Sequence, residues 1–161
     1  MELKGSCHCQ AVRFTLESKH PCPFMLCYCS ICRKTNGSGG YGINLSGEFN
    51  TLKIEGKENL SVYRARMTDA SGGTHQSNGE RSFCKHCGSG LWAWSPDWPD
   101  LVHPFASAID TELPPAPEQT HILLGSRANW VPLHLGPDDK SFDAYPDESI
   151  ADWHKRLGLE Q

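Results

Sequence analysis

The sequence predicts a mainly β fold with short helical turns, and three observations support this. Short apolar runs alternate with polar residues at the period of a half-buried strand. The 15 glycines and 11 prolines fall mostly between those runs, where turns are needed. Only two brief stretches read as helix. With 161 residues, 38% hydrophobic and 21% charged, the chain is globular and is expected to form one domain over 1–161.

In chain order, Val12, Phe14 and Leu16 alternate with Arg13, Thr15 and Glu17 as a first strand. Residues 33–36 suit a single helical turn, with Gly37 as its stop. Tyr41, Ile43 and Leu45 alternate again, then Leu52 with Ile54, then Leu60 with Val62. Residues 69–79, rich in Ser, Gly and Asn, are predicted to be an exposed loop. Short strands are expected at 91–94, 105–109 and 121–124, and Pro-rich 113–117 is an extended connector. Near the C-terminus, Ser149 and Asp152 have capping-box form. Ile150, Trp153 and Leu157 then share a helix face, and Gly158 ends it.

Charge and hydropathy exclude several functions. A net charge of −4 with no Lys/Arg-rich tail argues against a nucleic-acid partner bound by phosphate neutralisation. No run of about 18 apolar residues is present, so no membrane-spanning helix is expected. Met1-Glu2-Leu3-Lys4-Gly5 has no apolar core of an export signal, so the expected compartment is the reducing cytoplasm.

In that compartment clustered cysteines hold metal more often than they form disulfides. Cys7-His8-Cys9, Cys27-Tyr28-Cys29 and Cys84-Lys85-His86-Cys87 are tight pairs, and a disulfide across one residue would be strained. Cys27, Cys29 and Cys32 form a compact triplet. Extended backbone puts Cys27 and Cys29 on one face, and a turn through Ser30 and Ile31 returns Cys32 to the same point. Thiolates around one zinc lie roughly 3.8 Å apart, a spacing such a triplet meets alone. Neither Cys7/Cys9 nor Cys84/Cys87 completes a site alone; joined, they make a closed four-cysteine site. The triplet would then be a three-ligand site with an open position, the pattern of a catalytic zinc. A rival partition joins Cys27/Cys29 to Cys84/Cys87, and spacing leaves it open. Gly88 supplies the positive φ that a metal knuckle needs after its second cysteine. Cys22, between Pro21 and Pro23, reads as a small buried hydrophobe or a free thiol.

The segments Gly5-Ser6-Cys7-His8-Cys9, Cys27-Tyr28-Cys29-Ser30-Ile31-Cys32-Arg33 and Phe83-Cys84-Lys85-His86-Cys87-Gly88-Ser89 resemble the three motifs of the glutathione-dependent formaldehyde-activating (GFA) family. Ile109-Asp110 and the His121 to Trp130 stretch resemble its C-terminal half, so the likeness covers about 3–135. It implies a β-tent fold of antiparallel sheets held by zinc. It also implies Cys7, Cys9, Cys84 and Cys87 as structural-zinc ligands and Cys27, Cys29 and Cys32 as catalytic-zinc ligands. Two zincs per chain follow, the second one labile. The sequence departs from the family at Gln10, where glycine is usual, and in the 51 residues between Cys32 and Cys84.

The family's reaction joins formaldehyde to the glutathione thiol, or reverses it, as a carbon–sulfur lyase. Glutathione is thus the expected small-molecule partner, and S-hydroxymethylglutathione the expected adduct. Three thiolates give a zinc unit a net negative charge, which favours thiol binding over generation of a strong hydroxide. Arg33, beside the triplet, is the candidate to pair with a substrate carboxylate; the alternative is a helix-surface residue. Tyr28, Ser30, Asn36 and Trp130 are weaker candidates to line the site. His8 is expected to face away by alternation, His86 to lie on the knuckle surface, and His103, His121 and His134 to be structural or solvated. Two other classes stand beside the enzyme: a zinc-stabilised binding module without catalysis, and a thiol-based metal buffer.

Overall fold

The computed structural model describes residues 1–161. In chain order the elements are β1 (Glu2–Ser6), β2 (Arg13–Glu17), β3 (Met25–Cys27), α1 (Ser30–Asn36), β4 (Gly42–Ile43), β5 (Gly47–Glu48) and β6 (Lys53–Glu55). They continue as β7 (Leu60–Thr68), β8 (Thr74–Cys84), β9 (Gly90–Trp94), β10 (Leu101–Pro104), β11 (Thr120–Ile122), β12 (Lys140–Ser141) and α2 (Ile150–Leu157). The fold is mainly β, as expected.

Three sheets form, with strand orders β1-β2-β6, β5-β10-β9-β8-β7 and β12-β11-β3-β4. The first two are antiparallel throughout. In the third, β11 runs parallel to both β3 and β12, so this sheet is mixed rather than antiparallel. Strand direction leaves no trace in a period-two pattern, which is why the sequence is silent on it.

The first two sheets share the main core. Leu3, Val12, Phe14 and Leu16 pack with Leu45, Leu91, Trp92 and Val102, and Phe14 meets Trp92 edge-on at 5.1 Å between centroids. Cys7 and Cys84 belong to the same buried cluster. One pair of cysteine-bearing segments is therefore anchored by the main core itself.

Two elements differ from expectation. Only 69–73 are turn, because β8 begins at Thr74 and pairs along β7 (Arg66 with Gln76, Met67 with His75, Thr68 with Thr74). Cross-strand pairing there overrides a composition poor in strand formers. The expected strand at 105–109 is instead a 3₁₀ turn over Ala106–Ala108, flanked by single bridges Asn44 to Phe105 and Gly5 to Ile109. Its small residues let the chain turn a corner from the second sheet to the edge of the first. Strand β1, with one buried apolar side chain (Leu3), and β10, ending in Pro104, carry patterns too weak to read.

Helix α1 starts at Ser30, three residues earlier than expected, because Cys29 caps it. Helix α2 follows its sequence signals: Ser149 Oγ accepts from Asp152 N at 3.0 Å, and Gly158 closes the helix with φ +66°.

Candidate metal centre

Cys7 follows β1 and opens the turn into β2. Its N–H donates to Val12 O at 3.0 Å, and its carbonyl accepts from Gln10 N at 2.9 Å. Gln10 has φ +62°, so it adopts the left-handed conformation that glycine takes cheaply. On the other side, Cys84 ends β8 and Cys87 lies in the turn after it. Gly88, at φ +74°, donates its N–H to Cys84 O at 2.8 Å, and Cys84 N donates to Ser89 O at 3.0 Å. These two turns bring Cys7, Cys9, Cys84 and Cys87 together with all four sulfurs within 4.8 Å of one another.

The Cys7–Cys9 and Cys9–Cys84 sulfur separations are 3.6 and 3.7 Å, close to the roughly 3.8 Å of a tetrahedral zinc thiolate site. Val12 N donates to Cys7 Sγ at 3.3 Å. Ser89 Oγ lies 3.2 Å from Cys87 Sγ, and with backbone N–H groups it brings the Cys87 thiol down to about 5. This cluster is half buried: Cys7 and Cys84 are inaccessible, Cys9 and Cys87 exposed.

The second cluster joins the end of β3 to the start of α1. Cys27, Cys29 and Cys32 also place their sulfurs within 4.8 Å of one another. Cys29 Sγ accepts the Cys32 N–H at 3.3 Å, so one side chain both caps the helix and faces the cluster. Cys27 and Cys32 are buried and pack on Ile122 of β11, with Met25, Leu123 and Phe142 around them. Cys29 is the partly exposed member, so the cluster opens on its side.

The electrostatics of this cluster centre on Cys32. Hydrogen bonds from Cys27 and Cys29, with the Arg81 charge and the Asn44 amide added, hold its thiol down to about 2. The same hydrogen bonds and burial push Cys27 up. Asn44 Nδ2 donates at 3.6 Å and Arg81 Nη2 at 3.3 Å to Cys32 Sγ. Both donors were outside the sequence-level candidates, and no local pattern flags them: Arg81 reaches across 49 residues of chain.

The structure thus groups all seven expected cysteines, in the four-plus-three arrangement and not the rival one. Both clusters could hold metal ions, and their donor sets suit zinc. Cys22 lies outside both, buried against Phe24 and Trp153. Arg33 is half-buried on α1 and takes part in no ion pair, and its Nε is buried without a hydrogen-bond partner. Tyr28 packs with Leu26 and Val131, and its hydroxyl meets His121 Nδ1 at 2.9 Å. Asn36 accepts from Arg81, whereas Ser30, Trp130 and His134 are exposed. His8 is exposed in a turn, His86 pairs with Asn59 on the surface, and His103 bonds Leu45 O.

Fold and site together define a mainly β protein built around two thiol clusters, each of a size to hold one metal ion. The chain belongs to the glutathione-dependent formaldehyde-activating enzyme family, whose pattern matches residues 2–126. It is 55% identical to a Halomonas elongata protein named "Putative glutathione-dependent formaldehyde-activating enzyme", over all of this chain and 99% of that one. A crystal structure of a Rhodobacter sphaeroides protein shares the fold, with a TM-score of 0.51 at 24% identity, covering 69% of this chain and 91% of the other.

Proposed function

We propose that the protein is a zinc-dependent carbon–sulfur lyase acting on a thiol–aldehyde adduct such as S-hydroxymethylglutathione. The observation that carries this reading is the contrast between the clusters. One offers four sulfurs, a full tetrahedral set; the other offers three and opens beside Cys29. Family membership and the name of the Halomonas relative supply the thiol and the aldehyde. On this reading Cys7, Cys9, Cys84 and Cys87 hold a structural zinc, and Cys27, Cys29 and Cys32 hold the reactive one, two per chain. The chain 1–161 acts as one domain in the cytoplasm, where its eight free cysteines stay reduced.

Cys27, Cys29 and Cys32 would hold zinc, which would supply a borderline-soft Lewis acid with affinity for a thiolate. In cleavage, the carbon–sulfur bond of the adduct breaks with its electron pair passing to sulfur. The hydroxyl proton is released to solvent as the carbonyl of formaldehyde forms. Cys27, Cys29 and Cys32 fix where the sulfur sits, and the Ile122, Met25 and Leu123 side chains keep that region apolar. Arg33 remains the candidate partner for a substrate carboxylate, since its guanidinium is not taken by any acid.

The test combines metal analysis with exchange spectroscopy of glutathione and formaldehyde by NMR. The wild type is expected to hold two zincs and to accelerate adduct exchange. Cys29→Ala is expected to hold one zinc and to accelerate nothing. A wild-type protein with one zinc and no acceleration would instead be a zinc-stabilised binding module.

A further inference from the structure

Arg81 sits on β8, between β7 and β9, paired with Tyr63 on one side and Ala93 on the other. Its guanidinium is half-buried, yet no ion pair of the chain involves it. A partly buried cation with no carboxylate partner needs another anion or a set of acceptors. Arg81 has both. Nη2 donates to Cys32 Sγ at 3.3 Å, while Nη1 donates to Thr35 Oγ1 at 3.3 Å and Asn36 Oδ1 at 3.4 Å. The Phe105 ring lies under the group, 5.5 Å from its central carbon. Two acceptors on α1 and one aromatic face hold the fork so that one arm rests on a cysteine sulfur.

From this geometry we infer that Arg81 is a positioning residue that acts through Cys32 to set how strongly the three-cysteine centre takes an anionic thiolate. The inference rests on the proposed metal at Cys27, Cys29 and Cys32. Three thiolates around a dication leave one excess negative charge, which repels a fourth thiolate. The Arg81 charge returns the unit to local neutrality, and its hydrogen bond draws electron density from Cys32 Sγ. An incoming substrate thiolate then joins a neutral unit, and the metal keeps more of its electrophilic character. Lysine would keep the charge but not the fork that reaches sulfur and α1 together.

The test uses the full chain loaded with Co²⁺ as a spectroscopic probe, glutathione as the added thiol, and the variants Arg81→Gln and Arg81→Lys. Cys29→Ala gives the spectrum of the four-cysteine centre alone, which also reports whether each variant has folded. Arg81→Gln is expected to move the Cys32 thiolate-to-cobalt charge-transfer band to longer wavelength, because the sulfur becomes a better donor. It is expected to weaken glutathione binding about 10- to 100-fold, the usual cost of removing an outer partner of a metal ligand. Arg81→Lys is expected to recover part of that affinity. A folded Arg81→Gln protein whose band position is unchanged and whose glutathione affinity is within twofold of wild type would overturn the inference; so would Arg81→Lys binding no better than Arg81→Gln. If wild type shows no cobalt band beyond that of Cys29→Ala, the metal reading of the triplet fails, and this inference with it.

Discussion

Gln10 shows how a residue can accept an unfavourable backbone in the turn that carries Cys7 and Cys9. A non-glycine residue in the left-handed region costs about 1 to 2 kcal/mol. Its side chain offsets part of this by donating to Ser6 Oγ at 2.9 Å and accepting from Arg13 Nε at 3.2 Å. Gln10→Gly removes the strain but also those bonds, and it frees the unfolded chain, so its stability is expected within about 1 kcal/mol of wild type. Gln10→Val keeps the strain, adds a branched carbon and loses the bonds, so it is expected to be the less stable variant by at least about 1 kcal/mol. Thermal melting of the two metal-loaded variants checks the order. Equal melting points would mean that φ at residue 10 is not what the turn demands.

At the scale of elements, α2 is tied to the body by a few strong contacts. Trp153 stacks on Phe24 with centroids 3.8 Å apart, and its Nε1 donates to Glu118 at 3.1 Å. Arg156 pairs with both Glu118 and Glu148. Removing the indole leaves a cavity under the helix, so Trp153→Ala is expected to cost about 3 to 5 kcal/mol by denaturant unfolding. His154 adds a dependence on pH. Its Nε2 accepts Cys22 N–H at 3.0 Å while Nδ1 donates to Ile150 O at 2.8 Å, so both nitrogens are used by the neutral ring. Burial lowers its pKa from the ordinary 6.5 and His20 acts in the same direction, outweighing the Ile150 carbonyl and Glu160, which act to raise it. The unfolded chain therefore binds this proton before the folded one does. Stability from a neutral His154 is complete above about pH 6.5 and is lost as pH falls through the depressed value. NMR of the His154 ring at pH 6 is expected to show the neutral form; a protonated ring with α2 still docked would refute the locked tautomer.

For the whole molecule, His103 and His121 behave alike, both lowered by burial. Together with His154 they are expected to make global stability fall with acidification below about pH 6.5, with proton uptake on unfolding of up to about three. Melting temperature measured from pH 7.5 to 5.5 checks this. The two cysteine clusters should differ in their structural weight. Cys7 and Cys84 lie in the main core and join the β1–β2 turn to the end of β8, whereas the triplet spans only six residues. If the four-cysteine cluster holds zinc, its binding energy is folding energy. Cys84→Ser is then expected to unfold the protein or lower its melting point far more than Cys29→Ala does. Comparable melting of the two variants would contradict the division into a structural and a reactive site.

The sequence alone determined the mainly β class, the seven clustered cysteines, the α2 caps and the positive φ at Gly88. Each rests on spacing within a few residues, and local spacing is what a sequence records directly. Its four-plus-three grouping was one of two partitions allowed by spacing, and only the meeting of the β1–β2 turn with the β8 knuckle selected it. The parallel pairing of β11, the hairpin hidden in residues 69–79 and the corner at Ala106–Ala108 depended on which strands met. The guanidinium on the triplet was likewise decided by tertiary structure. Arg33 is the neighbour in sequence, but it makes no hydrogen bond to the cysteine sulfurs, and its Nε is buried without a partner. Arg81, carried in by β8 between β7 and β9, is the group that reaches Cys32. Long-range contacts of this kind follow from how the sheets pack, and no periodicity along the chain encodes them.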